Sequence, residues 1–121
     1  MAFADPQSVT VNTVAQSMPR ISTSGKQSVY QKADGTYTLT LSHQGSKVAG
    51  KDRIRSMARI DNKAIVADPL TAVNDYDTLS CYVVIDRPVY GFDTTATHNL
   101  VAGFVAWLTN ATVDKLFGQE T

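Results

Sequence analysis

The chain has 121 residues, of which 43% are hydrophobic, 8% aromatic and 18% charged, and eleven basic side chains balance eleven acidic ones. That length fits one domain, and the composition excludes disorder and collagen-like structure. No run of about 18 apolar residues is present, the N-terminus lacks the basic and apolar regions of a signal peptide, and the single cysteine, Cys81, allows no internal disulfide, as in a chain made in a reducing cytosol.

In chain order, residues 8–14 read as a half-buried strand, because polar and apolar residues alternate there. Residues 16–23 are its expected hairpin partner, with Pro19 restricting it to an edge. Ser24-Gly25-Lys26 is a turn, 27–32 a short strand, and Ala33-Asp34-Gly35 carries an Asp-Gly hairpin signal. Over 36–44 the period is two again. Tyr37, Leu39, Leu41 and His43 take one face; Thr38, Thr40, Ser42 and Gln44 take the other. A loop is expected at 45–50. In 53–60, Ile54, Ser56, Ala58 and Ile60 oppose Arg53, Arg55, Met57 and Arg59. A polar loop at 67–77 leads to a long strand, 78–89, stopped or bent by Pro88.

The period then changes. Asp93 or Thr94 offers an N-cap, and Leu100, Val101, Phe104, Val105, Trp107 and Leu108 follow helical spacing. Asn110 or Thr112 is the expected cap of a second short helix at 113–117, and Gly118 suits its C-terminal cap. Strands first and helices last indicate an α+β fold. The expected layout is a hairpin at about 8–23, an antiparallel sheet at about 27–90 and two helices at about 94–118, all in a single domain.

Lys47, Lys51, Arg53, Arg55, Arg59 and Lys63 lie in one short stretch, opposed there by Asp52 and Asp61. A concentrated basic segment gives a neutral chain a local anion-binding field. The strand faces holding Thr38, Thr40, Ser42, Gln44, Arg53, Arg55 and Arg59 suit single-stranded nucleic acid, with hydroxyls for base edges and Tyr82, beside Ser80, for stacking. A sheet with one solvated face presents the same pattern without any ligand. For catalysis there is less. His43 reads as a packed histidine, His98 as one near a helix start, and Cys81 as a small buried hydrophobe. No metal-ligand spacing, nucleophile elbow or phosphate loop occurs, so no enzyme, cofactor or metal is expected. The apolar residues of the helices exceed what so short a chain can cover, which a homodimer would resolve.

The ordered set of elements resembles the coat proteins of the single-stranded RNA bacteriophages, the levivirus family. The resemblance runs through the N-terminal hairpin, Thr40-Leu41-Ser42, Arg53-Ile54-Arg55, the loop at Ala67-Asp68-Pro69, Arg87-Pro88-Val89, the helix from Asn99 to Leu108 and Val113-Asp114-Lys115-Leu116-Phe117. It implies a hairpin, a five-stranded antiparallel sheet and two helices, interlocked as a homodimer with a continuous ten-stranded sheet. It implies an icosahedral shell whose inner sheet face binds a hairpin of the single-stranded genomic RNA and represses translation. No membrane or small-molecule substrate is implied. The protein would be made in the bacterial host cytoplasm and reside in the virion. Thr40 and Ser42 resemble the pair lining the family's adenine pocket, and Thr38 and Gln44 stand where basic residues are frequent. Arg53, Arg55 and Arg59 resemble the neighbouring polar and basic positions. Ser80 occupies the place of the stacking tyrosine, with Tyr82 two residues on. Leu100, Phe104, Trp107 and Leu108 would serve the dimer, and Asp68, Pro69, Asn74, Asp75, Tyr76 and Asp77 the loop where dimers meet. A dimeric cellular RNA-binding module that forms no shell is the alternative reading, and a small enzyme or ligand-binding domain a third.

Overall fold

The computed structural model describes residues 3–48, 50–67, 70 and 74–121. The chain divides into two units, Met1–Arg87 and Pro88–Thr121, where its length suggests one domain.

The first unit opens with a hairpin of β1 (Gln7–Val11) and β2 (Val14–Met18), paired from Gln7↔Met18 to Val11↔Val14. The turn is Asn12-Thr13, with φ of 52° and 65°. Two successive positive φ values give the two-residue turn whose twist matches a hairpin. Residues 8–14 are therefore not one strand. Alternation breaks at Asn12-Thr13, and the chain turns there. The hairpin closes at Met18, and the expected partner segment is split by Pro19. A β-branched residue is strained in the left-handed region. Thr13→Gly is expected to stabilise the fold by about 1 kcal/mol, the relief of that strain less glycine's entropic cost. A thermal melt checks this, and an unchanged or lower midpoint would refute strain at the turn.

Next come β3 (Arg20–Ser24), β4 (Gln27–Gln31), β5 (Tyr37–Val48), β6 (Lys51–Ala67) and β7 (Asn74–Pro88), in the sheet order β3-β4-β5-β6-β7. Each strand lies beside its sequence neighbour, and the pairings β3–β4, β4–β5 and β5–β6 are antiparallel. The sheet thus begins at 20, earlier than expected. Strand β5 runs on to Val48 and pairs it with Lys51, so most of the expected 45–50 loop is ladder. Likewise Asn74, Asp75, Tyr76 and Asp77 belong to β7 instead of a loop. Asp68 and Pro69 lie outside the described residues.

The Asp34-Gly35 turn joins β4 to β5 as expected, with Gly35 at φ 77°. Asp34 Oδ1 accepts the Thr36 hydroxyl at 2.6 Å and the Thr36 amide at 3.0 Å. These two bonds, with the charge of Lys32, hold the Asp34 carboxyl below its ordinary value of 3.8. The folded value is the lower one, so this stabilisation is complete above the unfolded value and disappears as pH falls through the folded one. A carboxylate NMR titration should place the Asp34 midpoint below 3.8. A midpoint at or above that value would overturn the assignment.

Met18 and Tyr30 are fully buried, Leu41 nearly so, and Val9, Tyr37 and Leu39 pack around them. Register explains the cluster: Tyr30 opposes Leu39, and Ser28 opposes Leu41, so all four share the sheet face on which Met18 packs. No buried side-chain nitrogen or oxygen among the described residues lacks a hydrogen-bond partner. Arg20 Nη2 donates to the Tyr30 hydroxyl at 2.9 Å, and Lys32 Nζ donates to Gln16 Oε1 at 2.7 Å. Beyond this cluster, Ile54, Ser56 and Ile60 of the same face are half-buried. His43 lies on it but is exposed, its Nδ1 paired with Ser56 Oγ at 2.9 Å, and Cys81 is also exposed. Neither is packed as expected, because the hairpin covers only part of the face.

The second unit holds α1 (Thr94–Trp107) and α2 (Asn110–Phe117). Asp93 caps α1 by accepting the Ala96 amide at 2.8 Å. The cap of α2 is Thr109, which accepts the Thr112 amide, where Asn110 or Thr112 was expected; the Thr112 hydroxyl instead donates to the Trp107 carbonyl at 2.8 Å. Gly118 is the C-cap. Neither helix contains a buried residue. Phe104 and Trp107 stack on each other at 5.9 Å. No described helix is long and apolar enough to cross a membrane.

Candidate nucleic-acid interface

Antiparallel partners point to the same face of a sheet. Thr38 opposes Asp61, Thr40 opposes Arg59, Ser42 opposes Met57 and Gln44 opposes Arg55. The register therefore gathers Thr38, Thr40, Ser42, Gln44, Arg53, Arg55 and Arg59 on one face, opposite the Tyr30–Leu41 cluster. Strand β7 joins through side chains. Arg59 Nη2 donates to Ser80 Oγ at 3.2 Å, and Arg53 Nε donates to Asp86 Oδ1 at 3.0 Å. Alternation then brings Tyr82, which is well exposed, to the Ser80 side.

The charge of this face is only partly free. Asp86 meets Arg53 through one oxygen and Arg55, at 3.7 Å, through the other. Asp61 takes Arg59 Nε at 2.9 Å and the Ser80 hydroxyl on the same oxygen. Among the described residues of these strands, Arg53, Arg55, Arg59 and Lys63 face two carboxylates, Asp61 and Asp86. Exposed pairs of this kind contribute about 0.2–1 kcal/mol each. An incoming phosphate can therefore replace the carboxylate partner.

Four residues of this face were not singled out as ligands from sequence. Asp61 and Lys63 continue the period of Arg59, a signal that was available. Tyr76 sits beneath the Lys63 ammonium, 4.8 Å from its ring centre, and Asp86 reaches Arg53 across 33 positions of sequence. Of the residues expected between dimers, Tyr76 is thus at the sheet's polar face. The carboxylates of Asp75 and Asp77 accept the amides that follow them, both at 2.8 Å. Leu100, Phe104 and Trp107 lie on α1 and Leu108 at its C-cap, all exposed within the chain. No cluster of metal ligands occurs among the described residues.

An N-terminal hairpin, a five-stranded meander with one polar face and two C-terminal helices define a fold class seen in virus-like particles. Specifically, the chain is similar in structure to the virus-like particle of bacteriophage AVE019, with a TM-score of 0.75 over 93% of each chain at 13% identity. It is similar to the virus-like particle of Beihai levi-like virus 21, with a TM-score of 0.71 over 99% of this chain and 98% of the other at 10% identity. For the virus-like particle of bacteriophage PQ-465 the score is 0.56 over 86% and 87% at 18% identity. No protein-family model and no curated protein sequence matches the chain. The likeness is one of fold, and it is the fold that the levivirus resemblance implies.

Proposed function

We propose that the chain is the capsid protein of a single-stranded RNA bacteriophage, forming homodimers that build an icosahedral shell. The observation carrying this reading is the likeness of fold, over nearly the whole of both chains, to virus-like particles. The helical unit supports the dimer. It presents Leu100, Phe104, Trp107 and Leu108 yet buries none of its helical residues. Helices in proteins gain most of their stability by packing an apolar face on another element. A second copy of the chain supplies that element.

The polar face supports contact with single-stranded RNA. Arg53, Arg55 and Arg59 neutralise phosphates and release counterions, while Thr38, Thr40, Ser42, Gln44 and Ser80 offer hydrogen bonds and Tyr82 a stacking surface. On this reading the face lines the inside of the virion, and a genomic hairpin bound there would repress translation. The start of β7, including Asn74, Asp75 and Asp77, belongs to the region where dimers meet. Production in the bacterial host cytoplasm and a structural role without catalysis complete the reading.

Negative-stain microscopy of the protein expressed alone in bacteria tests it, with an absorbance spectrum of the same fraction. Uniform spheres absorbing at nucleic-acid wavelengths are expected. A small dimer that never assembles would instead favour a cellular RNA-binding module.

A further inference from the structure

The polar face is hollowed at one end. A concavity of about 660 Å³ opens there, bordered by Thr38 of β5, Asp61 and Lys63 of β6, and Tyr76 and Ser80 of β7. Two of its features are specific. Asp61 spends one oxygen on Arg59 and Ser80, while its other oxygen, Oδ2, accepts no hydrogen bond among the described residues. Tyr76 has one ring face under the Lys63 ammonium and is 61% exposed. The hollow thus holds an acceptor, an aromatic plane and adjacent cations.

Those groups select their occupant. An ionised carboxylate only accepts hydrogen bonds, so the ligand must donate. Guanine alone among the RNA bases offers two adjacent donors on its Watson–Crick edge, N1–H and the N2 amine. Adenine and cytosine offer a single amine beside an acceptor, and uracil an imino group between two carbonyls that a carboxylate repels. An unstacked base gains further from an aromatic platform, and Lys63 is placed beside that platform for the adjoining phosphate.

We propose that this hollow binds one unstacked guanine of an RNA strand, with Asp61 accepting from its N1–H and N2 amine and Tyr76 stacking on the ring. This rests on the reading of the face as an RNA surface. The test is fluorescence anisotropy of the protein with labelled short oligouridines carrying a single central guanosine, inosine or adenosine, at constant salt. The guanosine strand is expected to bind about tenfold more tightly than the adenosine strand, with inosine, which lacks the N2 amine, in between. Asp61→Asn should erase that order. Tyr76→Ala should weaken the guanosine strand about tenfold. Equal binding of all three strands by the unaltered protein overturns the guanine pocket and leaves the RNA surface standing. Binding of none at low salt overturns both. The comparison among strands needs no substitution, so a variant that fails to fold does not shield the proposal.

Discussion

Changing Phe104 and Trp107 together to serine is expected to abolish the proposed dimer and every shell built from it. The two rings stack on each other and are each more than half exposed within the chain. Enclosing such rings against a second chain makes each worth about 3–5 kcal/mol on truncation. A domain of this size has about 5–15 kcal/mol of net stability, so the double change removes most of it from the assembled state. Light scattering after size exclusion should report monomers or aggregates, and circular dichroism should report lost helix, since α1 and α2 contain no buried residue within the chain. A variant that remains a dimer and still forms particles would put the interface elsewhere.

The second large effect comes as a pair of opposite signs on the polar face. Arg53→Ala with Arg55→Ala is expected to weaken RNA binding and to flatten its salt dependence by about 1.4 in the slope of log K against log salt, as for two lost contacts to a single strand. Asp86→Asn is expected to strengthen binding several-fold, because it frees both guanidinium groups from the carboxylate that now holds them. A salt titration of the three proteins with one oligonucleotide is sufficient. Unchanged binding by the double arginine variant would remove those residues from the interface. Weaker binding by the Asp86 variant would mean that the carboxylate positions the arginines instead of competing for them.

Much of this face was legible from strand periodicity. Thr38, Thr40, Ser42 and Gln44 alternate cleanly, as do Arg53, Arg55 and Arg59, and the register of β5 on β6 brings the two sets together. What alternation lacks is knowledge of cover. It put His43 and Cys81 on the apolar side, where they are, but a face that the chain itself only partly covers leaves both exposed. Distance in sequence hid Asp86, whose partner is a strand away. The hairpin was legible but its turn was not, because the turn uses Asn12 and Thr13 at positive φ without a glycine to announce them. The acids of Asp75 and Asp77 read as a loop, although their carboxylates bond the next amide within a strand.

The sequential order of the sheet bears on how the molecule forms. Each of β4 to β7 lies beside the strand made just before it, and β5 pairs with β6 from Tyr37↔Asn62 to Val48↔Lys51. Contact order in the sheet is therefore low, and such topologies zip up rapidly from local nuclei. The segment from 88 onward emerges from the ribosome after the sheet and contains helices that bury none of their residues within the chain. Under the proposed dimer, folding separates into a fast first-order step, completed by each chain alone, and a slower second-order step governed by how many nascent copies surround it. The chain would then be a competent sheet before it is a competent subunit, and its local rate of synthesis would set the pace of assembly.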